Sequence, residues 1–385
     1  MAPALVQLFE TFPKTDGFLA SQFELAQPPS DAISSLAYAP DSPTRLLVSC
    51  WDKKIYLYDT HSGGEDAPGT LLQTIEFRAP VLDVTFGATD NEAYTACLDH
   101  CVYRVDLESG EKQVVSQHTA PARCVVYSPE HCRSPVAPSP SAPLLTDLTA
   151  LLISASWDQT LQIHNAKSPS DDNITVQLPG KPHALAASPS KVVVAMTARL
   201  VNIYDLSDIP SLFSQSGPHD IKPWQQRESS LKFLTRAVSC MPNDAGYATS
   251  SIEGRVAVEW FEDSAESQAR KYAFKCHRQA APDGEGDIVY PVNAMAFHPV
   301  YGTFASGGGD GTVALWDAEA KRRMKQYQKF PDSVAALAFS KDGKYLAIGV
   351  CPGFETGTED YSAEGKASVF IRELGDTEAK GKGAK

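Results

Sequence analysis

A short pattern that returns seven times along the chain constrains its fold more than any other feature. The pattern is a β-branched or small residue, two further residues, then alternating apolar positions that end in an aromatic or a cysteine. It reads Ile33-Ser-Ser-Leu-Ala-Tyr38, Val81-Leu-Asp-Val-Thr-Phe86, Ala122-Arg-Cys-Val-Val-Tyr127 and Thr235-Arg-Ala-Val-Ser-Cys240. It continues as Val292-Asn-Ala-Met-Ala-Phe297 and Val334-Ala-Ala-Leu-Ala-Phe339, with a weaker copy at Ala184-Leu-Ala-Ala187. A second apolar run, a tight turn and a third run follow each copy. The clearest unit is Thr303-Phe-Ala-Ser-Gly-Gly-Gly-Asp-Gly-Thr-Val-Ala-Leu-Trp-Asp317, and Leu46 to Asp59 and Leu151 to His164 run parallel to it. Alternation with period two, bounded by Asp, Gly and Ser, predicts antiparallel strands joined by hairpins. Asp52, Asp99, Asp158 and Asp310 fall in the turns, where a carboxylate accepts from backbone N–H groups and sharpens the reversal. Tyr58, Tyr204 and Trp316, near the ends of third strands, are expected to pack between neighbouring units.

A unit of about 40–45 residues with two apolar faces cannot bury them alone and must stack on its neighbours. Seven such units arranged radially close into a β-propeller with short, protected edges. The expected fold class is therefore all-β, a seven-bladed β-propeller of the WD40 type, as a single domain over residues 25–374. Residues 1–24 form an N-terminal extension expected to supply the closing strand, from Ala4 to Phe9 or from Ser21 to Ala26. Surplus length is placed in loop insertions near 134–147 and 211–224, with a third from Ala280 to Asp287. The first insertion contains Ser134-Pro-Val-Ala-Pro-Ser-Pro-Ser-Ala-Pro143, whose Pro and Ser content opposes regular structure. The Gly/Lys/Ala-rich stretch 375–385 has little to bury and is expected to be a disordered tail.

Composition narrows the function classes. Lys and Arg number 34 against 47 Asp and Glu, a formal charge of −13, which disfavours a general nucleic-acid or anionic-membrane binder. No apolar stretch is long enough for a membrane-spanning helix. The N-terminus lacks the basic and apolar pattern of a secretory signal. Eight scattered cysteines read most simply as free thiols in a reducing compartment.

Catalytic chemistry has no foothold. The nine histidines include no H-x-x-x-H pair, and Cys97, Cys101 and the adjacent Cys276-His277 lack a second ligand pair for zinc. His118 and His277 precede repeat strands and read as structural. Gly307-Gly-Gly-Asp-Gly311 has the composition of a phosphate cradle but lies between two strands, which makes it a hairpin turn. There is no G-x-S-x-G elbow and no Walker lysine loop. No catalytic residue, metal or cofactor is expected.

Surface recognition remains. Trp51 and Trp157 stand in Trp-Asp dipeptides where most repeats carry a small residue. Two readings compete: a rim anchor for a peptide, or packing against the neighbouring blade. Arg227, Lys232, Arg236 and Arg255 form a basic cluster in an acidic chain. Arg236 and Arg255 belong to one blade, so their guanidinium groups are placed to converge on one face and bind phosphate. A solvated charged face is the competing reading.

Certain strings resemble a particular family. Arg227-Glu-Ser-Ser-Leu-Lys-Phe233, Ser250-Ser-Ile-Glu-Gly-Arg-Val-Ala-Val-Glu259, Tyr272-Ala-Phe-Lys-Cys-His-Arg278 and Tyr290-Pro-Val-Asn293 are similar to those of the third "budding uninhibited by benzimidazole" family, the propellers of the mitotic spindle checkpoint. Trp51-Asp52 and Ala155-Ser-Trp-Asp158 fit the same pattern. The resemblance runs from about Phe23 to Leu374. It implies a non-enzymatic adaptor that binds GLEBS segments of checkpoint kinases and kinase-like proteins, together with phosphorylated Met-Glu-Leu-Thr repeats of the kinetochore scaffold. By the same resemblance Arg236 and Arg255 are phosphothreonine-binding, and Trp51, Trp157, Arg227 and Lys232 are peptide-binding. It also implies a nuclear protein that is at kinetochores in mitosis. The sister family of nuclear-pore RNA-export propellers, which bind a nucleoporin GLEBS segment and RNA, is the alternative.

Overall fold

The computed structural model describes residues 22–61, 69–131, 149–168, 173–213, 215, 219–353 and 365–381. The alternative closing strand Ala4 to Phe9, the Pro/Ser segment 134–143 and residues 382–385 lie outside the described residues.

The strands form seven four-stranded antiparallel sheets and one separate two-stranded hairpin. Blade one is Ile33–Tyr38, Arg45–Cys50, Lys54–Asp59 and Thr70–Glu76, and blade two is Val81–Phe86, Glu92–Cys97, Cys101–Asp106 and Lys112–Gln117. Blade three holds Ala122–His131, Thr149–Ser156, Thr160–Asn165 and Asn173–Gln177. Blade four holds Pro182–Ala187, Lys191–Met196, Leu200–Asp205 and Gln225–Glu228, so its inner strand starts at Pro182, two residues before the weak repeat copy. Blade five is Thr235–Cys240, Gly246–Ser251, Arg255–Trp260 and Tyr272–Lys275; blade six is Val292–Phe297, Thr303–Gly308, Val313–Asp317 and Arg322–Gln326. Blade seven is Val334–Phe339, Tyr345–Val350 and Ser368–Glu373, with Gln22–Glu24 as its outer strand. The seven-bladed WD40 propeller is thus the architecture found.

The ring closes chemically as well as topologically. Gln22, Phe23 and Glu24 pair with Arg372, Ile371 and Phe370, so the two ends of the ring share one sheet. A single buried cluster joins Leu25, Ile33, Leu46 and Tyr58 to Ala336, Ala347, Val369 and Ile371, across the seam of blades seven and one. Removing a large side chain from such a core costs about 2–5 kcal/mol. Close approach of the blades sets residue size: a Cβ at Gly307 would clash with Val334 of the next blade.

The turn aspartates act as read. Asp52, Asp99, Asp158 and Asp310 accept the N–H of Lys54, Cys101, Thr160 and Thr312 at 3.1, 3.2, 2.9 and 3.1 Å. Tyr58, Tyr204 and Trp316 are buried, and Trp316 packs 4.4 Å from Phe274 of the preceding blade.

Within the insertion near 211–224, Ile209–Leu212 forms a single helical turn and residues 219–224 precede the outer strand of blade four. The tail expectation needs correction over 375–381. Ala379 is buried, its carbonyl accepts from the Thr303 hydroxyl at 2.7 Å, and Glu378 lies 3.0 Å from Arg372 and 3.2 Å from Lys325. One small apolar residue and one carboxylate are enough to strap this segment across the seam of blades six and seven, whatever its composition suggests.

Candidate functional site: the channel mouth

The innermost strand of every blade carries a register shift near its start. The shifts fall between Ile33 and Ser35, Val81 and Asp83, Ala122 and Cys124, and Pro182 and Ala184. The remaining three fall between Thr235 and Val238, Val292 and Ala294, and Val334 and Ala336. A bulge removes one residue from the ladder and re-aims its side chain. Here the skipped positions are Ser34, Leu82, Arg123, His183, Asn293 and Ala335, one per blade, and the pair Arg236 and Ala237 in blade five. All but His183 and Ala237 line a cavity of about 560 Å³ at one mouth of the central channel.

These side chains also stitch blade to blade. Ser34 donates to the Val81 carbonyl at 2.6 Å and Arg123 to the Leu82 carbonyl at 3.3 Å. Arg236 donates through Nε to Asn293 Oδ1 at 3.1 Å, and Asn293 donates to Ser333 Oγ at 3.0 Å. Consecutive bulges of blades three, four and five present Arg123, His183 and Arg236, an arc of cationic or titratable groups. Burial lowers the His183 pKa, and the neighbouring Arg123 and Arg236 lower it further, so its imidazole is held neutral beside two guanidinium groups.

Both tryptophans reach this mouth. Each follows the second strand of its blade, where the backbone N–H donates to the loop before the first strand: Trp51 to Ala32 at 3.0 Å and Trp157 to Pro121 at 3.1 Å. Both line the cavity, together with Ile252, Val289 and Pro291, and Trp51 is 41% exposed. At this mouth Trp51 is exposed and Trp157 half-buried.

The basic cluster separates. Arg236 points into the mouth. Arg255, at the same end of blade five, is not among the lining residues; its Nε lies 3.7 Å from Glu253 and its side chain is 35% exposed. Beside it the structure brings a residue that sequence reasoning passed over. Arg278 donates through Nη2 to the Glu253 carbonyl at 2.8 Å, and Lys275 pairs with Arg255 across the strands. Lys232 is exposed in the loop entering blade five, next to exposed Phe233 and Leu234.

Arg227 does not belong to the mouth, and its peptide-binding assignment is corrected on that ground. Its side chain is 9% exposed and lies 3.3 Å from the buried Glu259 of blade five. It also donates to the Trp260 carbonyl at 2.8 Å and stacks over Tyr247. A guanidinium this occupied is a structural tie between blades four and five.

The two repeat histidines are structural as expected. His277 bonds Asp310 at 2.8 Å and Ser306 at 2.8 Å, and Ser306 in turn accepts from Trp316 at 2.8 Å. His118 bonds Ser154 and Thr160, each at 2.9 Å. The glycine-rich stretch is the predicted hairpin turn, with Gly311 at φ +73 pressed against the Asp332 and Phe330 carbonyls. Among the described residues no three His, Cys, Asp or Glu side chains are grouped to hold a metal, and all seven cysteines are free. No helix among them is long and apolar enough to cross a membrane.

A closed ring of seven repeats with an aromatic and cationic mouth defines the class as a WD-repeat β-propeller scaffold. The family model "WD domain, G-beta repeat" matches residues 22–59 and 285–317. Mitotic checkpoint protein BUB3.1 of Arabidopsis thaliana is 39% identical over 93% of this chain and 94% of its own length. Mitotic checkpoint protein bub3 of Dictyostelium discoideum is 32% identical over 92% and 95%. The mRNA export factor GLE2 of Chaetomium thermophilum is also similar, at 30% identity over 95% and 94%. The chain belongs to the Bub3 family of mitotic checkpoint WD-repeat proteins.

Proposed function

We infer that this propeller is a non-enzymatic adaptor of the mitotic checkpoint. It holds GLEBS segments of checkpoint kinases and kinase-like proteins across its mouth and binds phosphorylated Met-Glu-Leu-Thr repeats of the kinetochore scaffold. The carrying observation is the placement of Trp51, Trp157, Arg123 and Arg236 around one cavity, with Arg255, Lys275 and Arg278 gathered at the adjoining end of blade five. Aromatic anchors supply apolar area and the arginines supply charge. An acidic or phosphorylated segment gains from both, while an overall charge of −13 repels anions without such a fit. Arg236 and Arg255 are the proposed phosphothreonine contacts, joined by Arg278; Lys232 flanks the same end. A phosphate adds about −1.5 to −2 charge at neutral pH, so kinases and phosphatases acting on the partner set the location of this chain. The proposed location is the nucleus, and the kinetochore in mitosis.

Export of RNA is the second reading, favoured by the likeness to the export factor. It requires salt-sensitive RNA binding, which needs a broader basic surface than this acidic chain offers. Tagged protein in dividing cells separates the two. The checkpoint reading expects recruitment to unattached kinetochores, lost with Trp51→Ala combined with Trp157→Ala, and no retention of single-stranded RNA. Absence from kinetochores together with salt-sensitive RNA binding would reverse the assignment.

A further inference from the structure

Between blades five and six the chain makes an excursion that joins no blade. Arg278–Ala280 and Asp287–Val289 pair antiparallel, with Arg278 opposite Val289, Gln279 opposite Ile288 and Ala280 opposite Asp287. Bonds just outside this register settle its phase. Tyr290 N–H donates to the His277 carbonyl and Ala281 N–H to the Gly286 carbonyl, both at 3.1 Å. Hydrogen-bonded and open pairs alternate along an antiparallel ladder. Gln279 and Ile288 are therefore the bonded pair, and Arg278–Val289 and Ala280–Asp287 are open pairs. The main-chain N–H and C=O of Asp287 and Val289 point away from the hairpin.

That edge borders the site. Val289 lines the mouth cavity, and the blade-five turn packs so closely that a Cβ at Gly254 would lie 3.0 Å from it. Asp287, Ile288 and Val289 are all exposed. The base of the hairpin is fixed by Arg278, which bonds the Glu253 carbonyl at 2.8 Å and lies 3.7 Å from Asp287. A fixed edge with outward donors and acceptors is a template for one more strand.

We propose that the Asp287–Val289 edge takes up the bound phosphopeptide as an added β-strand, leading it from the mouth past Arg255 and Arg278. Charge selects the occupant: Arg255 follows the Gly254 turn packed on Val289, and Arg278 stands at the hairpin base. Glu253 and the edge's own Asp287 each lie 3.7 Å from one of these guanidinium groups. The full negative charge of a phosphate still favours a phosphorylated, extended segment over a basic one. The inference rests on the phosphopeptide reading above. It adds the element that binds main chain regardless of side-chain identity, leaving side-chain discrimination to the arginines and tryptophans.

The test uses the whole chain and a phosphorylated peptide containing Met-Glu-Leu-Thr. Val289→Pro removes one outward N–H without removing a bond inside the hairpin, and Val289→Ala controls for the side chain. The expected result is an affinity loss of about tenfold for Val289→Pro beyond that of Val289→Ala. Amide exchange on the unmutated chain provides a readout independent of folding in the variant: the Asp287 and Val289 amides should slow when peptide is added. Tight binding with unchanged exchange at both amides overturns the added strand and leaves the phosphopeptide reading standing. Failure of the unmutated chain to bind the peptide overturns both. Slowing that appears without peptide and grows with protein concentration assigns the edge to a second copy of this chain, and also overturns the proposal.

Discussion

Arg236 of blade five reaches across the seam to Asn293 of blade six, with Nε 3.1 Å from Oδ1. The amide fixes the direction of the guanidinium without neutralising it, and Asn293 is itself held by Ser333 of blade seven at 3.0 Å. Three blades thus position one charge at the mouth. Arg236→Glu is expected to weaken an acidic or phosphorylated peptide by about 2–5 kcal/mol, since it replaces an attraction by a repulsion. Asn293→Ala should cost about 1 kcal/mol by loosening the same group. Titration calorimetry measures both, and an unchanged melting temperature for Arg236→Glu shows that the loss is local.

Trp51 and Trp157 line the cavity from blades one and three. Truncating an aromatic anchor of this kind typically costs about 2 kcal/mol or more of binding. Trp51→Ala and Trp157→Ala should each lower affinity for a GLEBS peptide by that order while the unfolding midpoint moves little. A large drop in stability with unaltered affinity would return the packing role.

Arg227 and Glu259 give the opposite pattern. Both side chains are nearly buried, 9% and 6% exposed, so removing Arg227 leaves the buried Glu259 carboxylate with only the more distant Lys271, 3.7 Å away, as a cationic partner. Arg227→Ala is expected to destabilise the fold by about 3–5 kcal/mol. Peptide affinity per folded molecule should stay as it is. Urea unfolding with a parallel titration reads both quantities.

Acid should weaken the ring in two stages. Burial lowers the pKa of His118, His183 and His298 in the folded chain, so the unfolded chain binds protons first, near the ordinary histidine value of about 6.5. Stability therefore falls as pH drops below that value. Burial would raise Asp158 and Asp310, but hydrogen bonds from the turn and the histidines outweigh it and hold both below the usual carboxylate range. Their contribution is present above about pH 4 and is lost as pH falls through their lowered values. Urea midpoints at pH 7.5, 5.5 and 4 should decrease in that order.

The ring was legible in the sequence because the blades repeat the same period-two strands and four of them repeat the same turn aspartate. Asp52, Asp99, Asp158 and Asp310 announce their hairpins locally. The mouth was legible only in part. Trp51 and Trp157 stand out against small residues at matching positions, but nothing local marks the bulge that turns Arg123 into the mouth. The signal was present in the second position of six repeats, read down the copies and not along any one, while the fourth copy, read from Ala184, begins after His183. Arg227 misled because its partner, Glu259, lies on another blade, and net charge along the sequence does not reveal such a pairing. Ala379 misled in the other direction, since a short strap is buried by the blades it crosses and not by its own composition.

The most direct test of the central claim is a calorimetric titration of the whole chain with a Met-Glu-Leu-Thr peptide in phosphorylated and unphosphorylated form. The account predicts markedly tighter binding of the phosphorylated form, with the difference abolished by Arg255→Glu in a chain that remains folded. Equal affinity for the two forms would contradict it.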